Sequence, residues 1–193
     1  MMDSVRLIAL IAAGATLGAL GALTSIPTAH AADPGPLYRL VDTASQRLLT
    51  ADPVAAFKWV DGGSIEDPAR VGQVLDNVAA DARDRGVDEA FVRRAFQNQI
   101  HATEGIEYVR FGQWKLDPAA APTSAPNLSE SRTAIDGFNR TMVSEMAAQS
   151  GVLHGPGCTT ALDAARQSVI ADRGLDPLYQ QALDFATHTY CAT

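Results

Sequence analysis

Apolar residues recur at helical spacing along almost the whole chain, and no stretch alternates with the period of two that a half-buried strand needs. Leu37, Leu40, Val41, Ala44 and Leu48 set the first stripe, Val54, Ala55 and Trp59 carry it on, and Gly62-Gly63 ends it. Pro53 lies inside this run. Within a helix it would remove the bond from its nitrogen to the carbonyl of Leu49, so a kink is expected there. Asp67-Pro68 reads as a helix start, an N-cap acid followed by proline at the first helical position. Val71, Val74, Leu75 and Val78 form that helix's stripe, and Gly86 stops it. Asp88 can cap a third helix reaching about Lys115, with Phe91, Val92, Ala95, Phe96, Ile100, Thr103, Ile106, Glu107 and Trp114 on one face.

A Pro/Ala segment, residues 117–127, separates this helix from a fourth. Ser129 is the expected cap, and Ile135, Phe138, Met142, Val143 and Met146 the core face. A turn at 151–157 leads into Cys158–Arg173 and Asp176–Cys191, which read as an antiparallel helix pair, the second opened by another Asp-Pro. The expected fold is all-α, about six helices in a single bundle-like domain. The chain contains no repeat, P-loop, nucleophile elbow or Gly-rich fingerprint.

The first residues follow a different pattern. Arg6 precedes an apolar Ala/Gly-rich run, Leu7–Leu23, and Ala29-His30-Ala31 has the small-x-small form of a cleavage site. Residues 1–31 are expected to be a signal peptide removed on export, although the run approaches the length of a retained membrane anchor. Residues 32–193 would then be the mature domain, long enough for one real core, with secretion or a periplasmic location as the outcome.

The leader holds one acid, Asp3, and one base, Arg6, so the mature chain keeps the net charge of −7. That charge disfavours nucleic acid and anionic membrane surfaces as partners, and an anionic ligand must be held by a local cluster of cations. Cys158 and Cys191 are the two cysteines, and in an exported chain a disulfide is the natural reading. A bridge closing a loop of that length is worth roughly 3–4 kcal/mol on a chain-entropy account. Two cysteines and four scattered histidines offer no metal-ligand spacing.

The candidate chemistry centres on RLLTADPVAAFK, residues 47–58. On a helix, eleven steps of about 100° bring Arg47 and Lys58 to one face with Cα atoms roughly 16 Å apart. Two long side chains reaching inward leave a gap the size of one small molecule, suited to a compact dianion, and Arg47 can grip a carboxylate as a planar fork. Two cations on a solvated face are the alternative. Arg70 and Arg132 both fall in first turns, where a cation opposes the helix dipole. Arg70 is therefore wanted for something else or is simply paired with Asp67. Thr103 and Glu107 continue the apolar face of the third helix, and an acid there is costly unless paired, protonated or at an edge reaching water. Glu104 and Arg110 read as solvated surface, and His101 as a surface or boundary histidine and not a ligand.

The order Arg47, Lys58, Asp67, Arg70, Thr103, Glu107, Arg132 resembles the all-helical chorismate mutases, in particular their secreted subclass. RLLTADPVAAFKW, IEDPAR and HATEGIEYVRFGQWK are similar to signatures of that subclass, as are the leader and the two late cysteines. The resemblance implies a cofactor-free rearrangement of chorismate to prephenate in one concerted step, and leaves room for a homodimer. It implies carboxylate binding by Arg47 and Arg132, with Arg70 adding to it. Lys58 would donate to the breaking ether oxygen and Glu107 would stand on that oxygen's other side, where many intracellular relatives use glutamine. Thr103 would supply a hydroxyl near a carboxylate. Many relatives carry an acid directly after the arginine matched by Arg70, placed to contact the substrate hydroxyl; Val71 stands there in this chain. A non-catalytic exported protein binding a small anion or a host partner on the same scaffold is the other reading.

Overall fold

The helix signals translate almost one for one into structure. The computed structural model describes residues 35–191, and the expected leader lies outside them. Among the described residues there are eight α-helices and no strand: α1 (Tyr38–Leu49), α2 (Ala51–Asp61), α3 (Pro68–Asp84), α4 (Glu89–Leu116), α5 (Leu128–Ala148), α6 (Ser150–Leu153), α7 (Cys158–Arg173) and α8 (Pro177–Thr187). A single 3₁₀ turn, Pro118–Ala120, lies in the Pro/Ala segment. No helix among these residues is long and apolar enough to cross a membrane.

Three of the starts are built by the acids expected to build them. Asp67, Asp88 and Asp176 each accept a hydrogen bond from the backbone N–H three residues on, at 3.0, 2.5 and 2.9 Å. Each satisfies a donor that the helix leaves orphaned. Gly62 closes α2 and Gly86 follows α3, both with positive φ, which glycine adopts without steric cost. The fourth start differs from expectation. Asn127, not Ser129, caps α5, its Oδ1 accepting from the Ser129 N–H at 2.9 Å, so Ser129 sits inside the first turn.

The expected kink at Pro53 is replaced by a break three residues earlier. Thr50 turns its N–H and its hydroxyl back onto the Arg47 carbonyl, at 3.2 and 2.6 Å, and α2 restarts at Ala51. Pro53 then falls in the first turn of α2, where a missing N–H costs nothing. Arg47 and Lys58 thus belong to two successive helices and not to one continuous face.

α1 is the hub. Leu40, Val41, Ala44 and Leu48 are fully buried, and α1 packs against α5, α7 and α8 while also touching α2 and α4. The long α4, about 42 Å at 1.5 Å per residue, packs its buried Phe91, Val92, Ala95, Phe96, Ile100 and Ile106 into the same core, against α8 on one side and α2 and α3 on another. α7 and α8 pack more on α1 and α4 than on each other, so the expected helix pair is bridged by α1. Their ends still meet. Cys158 at the start of α7 and Cys191 beyond the end of α8 form a disulfide with Cα atoms 5.6 Å apart. Trp59, Phe111 and Trp114 close the outer end of α2 on α4 with edge-on ring contacts of 5.2 and 5.6 Å.

Candidate active site

α1 to α5 surround a cavity of about 110 Å³, partly open to solvent. Its walls are apolar, from Val54, Ile65, Val71, Val74, Ile100, Leu128 and Ile135, and its polar groups are Arg47, Lys58, Asp67, Arg70, Thr103, Glu104, Glu107 and Arg132. Every residue singled out in the sequence as substrate-contacting therefore lines one space.

Arg47 reaches this cavity from the last turn of α1 and is only 4% exposed. Its Nε donates to Oδ1 of Asn139 on α5 at 2.8 Å, and its Nη1 to the Thr103 hydroxyl at 3.3 Å. That hydroxyl in turn donates to the Gln99 carbonyl at 2.8 Å, so Thr103 presents a lone pair to the guanidinium. Burial lowers the pKa of Arg47 to about 10, which leaves it charged at neutral pH.

Lys58, from the last turn of α2, donates to the Ile65 carbonyl at 2.5 Å and to Glu107 Oε2 at 2.7 Å. An ammonium has three donors, so one remains for a ligand. Glu107 is 2% exposed and does not reach water at the stripe's edge. Burial pushes its carboxyl above the ordinary range, outweighing the downward pull of Lys58.

Arg70 points its charge away from Asp67. Its Nη2 donates to Asp136 Oδ1 on α5 at 2.6 Å and its Nη1 to Gln73 at 2.8 Å. Asp67 instead caps the Arg70 N–H with Oδ1, and its Oδ2 lies 3.7 Å from Arg132 Nη2. The side chain of Arg132 is 47% exposed, at the cavity's rim.

Two residues read as solvated surface are placed otherwise. Glu104 lines the cavity, because Ile100, Thr103, Glu104 and Glu107 follow the i, i+3, i+4, i+7 spacing of one helix face. Arg110 is half-buried and grips Asp52 of α2 with both arms, Nε to Oδ1 at 2.6 Å and Nη2 to Oδ2 at 3.2 Å, locking α2 to α4. His101 is exposed and bonded to Gln97, a surface residue as expected.

The sequence reading missed Asn139, Asp136 and the Ile65 carbonyl, the groups that hold Arg47, Arg70 and Lys58. Asn139 carried a signal: it lies four residues after Ile135 and three before Met142, a polar side chain on the buried face of α5. Asp136 and the carbonyl carried none.

Four cations and three acids around an apolar hollow can bind and fold a small polyanion, and can stabilise negative charge that grows beside Lys58. Among the described residues no cluster of three or more His, Cys, Asp or Glu is arranged to hold a metal.

Comparison with known proteins points the same way. The family profile described as "Chorismate mutase type II" matches residues 38–108. The chain is 55% identical over 175 residues to the secreted chorismate mutase of Mycolicibacterium smegmatis, covering 90% of this chain and 97% of that one. It is 46% identical over 183 residues to the secreted chorismate mutase of Mycobacterium tuberculosis, covering 92% of each. Among solved structures, the chorismate mutase of Burkholderia phymatum superposes with a TM-score of 0.77 at 26% identity, covering 82% of this chain and 97% of that one. That of Burkholderia thailandensis gives 0.75 at 30% identity, covering 81% and 99%. With a cation-lined cavity inside an all-helical fold, and such identity across nearly its whole length, this chain belongs to the chorismate mutase family, alongside the members named as secreted.

Proposed function

We propose that this chain rearranges chorismate to prephenate in the cavity enclosed by α1 to α5, in one pericyclic step without cofactor or covalent intermediate. The observation that carries the reading is the convergence of Arg47, Lys58, Arg70 and Arg132 on one apolar-walled hollow, in a chain whose net charge is −7.

The reaction requires no proton transfer and no nucleophile. Its barrier is the confinement of a flexible dianion in a chair-like shape, together with charge that develops on the ether oxygen as its bond lengthens. In this assignment Arg47 and Arg132 hold the two carboxylates, Arg70 adds to the binding, and Thr103 supplies a hydroxyl beside one carboxylate. Lys58 donates a hydrogen bond from its remaining N–H to the ether oxygen. Glu107, protonated, donates from the other side, since a carboxylate would repel the growing oxyanion. Burial favours that protonated form. Removing one such donor costs roughly 3–4 kcal/mol in comparable sites.

The cationic groups all come from one chain, which supports a site complete in each protomer, in a homodimer as in a single chain. Export through a leader cleaved near Ala31 is part of the proposal, and the relatives named as secreted support it. The test is direct. The mature protein is incubated with chorismate and the loss of ultraviolet absorbance is followed. Catalysed loss is expected; binding without turnover would instead make this an anion-binding protein on the same scaffold.

A further inference from the structure

Two of the three Lys58 N–H groups are fixed by neighbours that are joined to each other outside the cavity. One donates to Glu107 Oε2 at 2.7 Å and one to the Ile65 carbonyl at 2.5 Å. Tyr108 follows Glu107 on α4, and Glu66 follows Ile65 in the segment between α2 and α3. The Tyr108 hydroxyl donates to Glu66 Oε1 at 2.9 Å. The links close a ring: from Lys58 to Glu107, along the backbone to Tyr108, across to Glu66, back one residue to Ile65, and onto Lys58 again.

The segment has little else to set its course. It leaves α2 through Gly62, whose φ is +74°, and Gly63. Among the described residues, the hydrogen bonds made from Ser64 to Glu66 are those to Lys58 and to Tyr108. Ile65 is 6% exposed and lines the cavity, but apolar burial is non-directional and does not aim its carbonyl. Tyr108 is 53% exposed, too open to be placed by packing, and its hydroxyl partner lies 42 positions away in sequence. Resting on the reading above, in which Lys58 serves the ether oxygen, we propose that Tyr108 is a positioning residue for the reaction. By latching Glu66 it holds the Ile65 carbonyl on Lys58, and so points the third N–H of Lys58 at the substrate.

The experiment measures kcat and KM on chorismate for wild type, Tyr108→Phe, Glu66→Ala, Glu66→Gln and the double variant Tyr108→Phe with Glu66→Ala. Tyr108→Phe keeps the ring and removes only the donor. A hydrogen bond of this kind is worth roughly a 2- to 10-fold factor, and kcat should fall by about that much. KM should hold, because the arginines that grip the carboxylates are untouched. Glu66→Ala should match Tyr108→Phe, and the double variant should be no slower than either single change. Glu66→Gln keeps a carbonyl acceptor and should stay close to wild type. Backbone amide exchange across residues 62–66 should quicken in Tyr108→Phe. A kcat equal to that of wild type in Tyr108→Phe overturns the assignment, as do losses that multiply in the double variant. A rise in KM that matches the fall in kcat also overturns it, since that marks a general loosening of the cavity. If the wild type converts no chorismate, the proposed reaction falls and takes this assignment with it. If the wild type is active and kcat ignores Tyr108, only the assignment falls. Far-ultraviolet circular dichroism identifies a variant that has not folded, and Glu66→Ala tests the same link from the other side in that event.

Discussion

Lys58 Nζ lies 2.7 Å from Glu107 Oε2, in a pair that is almost entirely shielded from solvent on the acid's side. Two effects pull the acid in opposite senses. Burial raises the acid's pKa, while the ammonium beside it favours the carboxylate, and burial is the larger effect. Glu107 therefore keeps its proton to a higher pH than an ordinary carboxyl does.

That relationship gives a pH dependence whose sign is fixed. Glu107 donates only while protonated, so kcat should fall as pH rises through its raised pKa and be highest below it. Glu107→Gln donates at every pH, so its profile should be flat across the same interval. A pH series of kcat for both proteins checks this. An equally steep alkaline decline in the glutamine variant would assign the loss to some other group.

Asn139 acts through Arg47. Its Oδ1 fixes the guanidinium at 2.8 Å from Nε, and both side chains are buried. Asn139→Ala should reduce kcat/KM by roughly 10- to 100-fold, the value of a hydrogen bond to a charged group, with a raised KM. Thermal denaturation of the same variant separates loss of stability from loss of substrate binding.

The two arginines proposed to hold the carboxylates, Arg47 and Arg132, should respond differently to salt. Arg132 is half exposed and 3.7 Å from Asp67, beyond hydrogen-bond reach, so its attraction for a ligand is screened. Arg47 is enclosed and screened far less. Wild-type KM should rise with ionic strength, and Arg132→Ala should both raise KM and weaken that dependence. Arg47→Ala should abolish measurable turnover at any salt concentration.

The disulfide holds stability and not chemistry. Cys158 and Cys191 lie outside the cavity lining and join the ends of α7 and α8. Reduction, or the double Cys158→Ser and Cys191→Ser variant, should cost roughly 3–4 kcal/mol on the chain-entropy account and lower Tm by about 10 °C for a domain of this size. Initial rates at 25 °C should persist. Melting curves with and without reductant, paired with rate assays, check both halves.

Much of the fold was readable because helix ends are local. Asp67-Pro68, Asp88 and Asp176-Pro177 cap through a side chain three residues from its partner, and Gly62 and Gly86 need only their own backbone freedom. Thr50 was missed because its break depends on a hydroxyl folding back on Arg47, which competes with the more obvious Pro53. Asn127 was passed over for Ser129 since either can cap and the two are separated by one residue. In the site, residue types and spacing were legible but partners were not. Arg70 pairs with Asp136, 66 positions away, and Arg47 with Asn139, 92 away, and such contacts follow from packing that periodicity alone does not specify. Glu104 could have been found, because its spacing from Ile100 and Glu107 placed it on the cavity face; its charge argued for water and prevailed.

The central claim is that a fixed ammonium stabilises charge growing on the substrate's ether oxygen. Its most direct test is the kcat of Lys58→Met, which keeps the length and apolar stem of the side chain and removes the charge. The account predicts a fall of roughly 10²- to 10³-fold, as for the loss of one preorganised donor, with the helical circular dichroism of wild type. A kcat within a few-fold of wild type, in a folded variant, would contradict it.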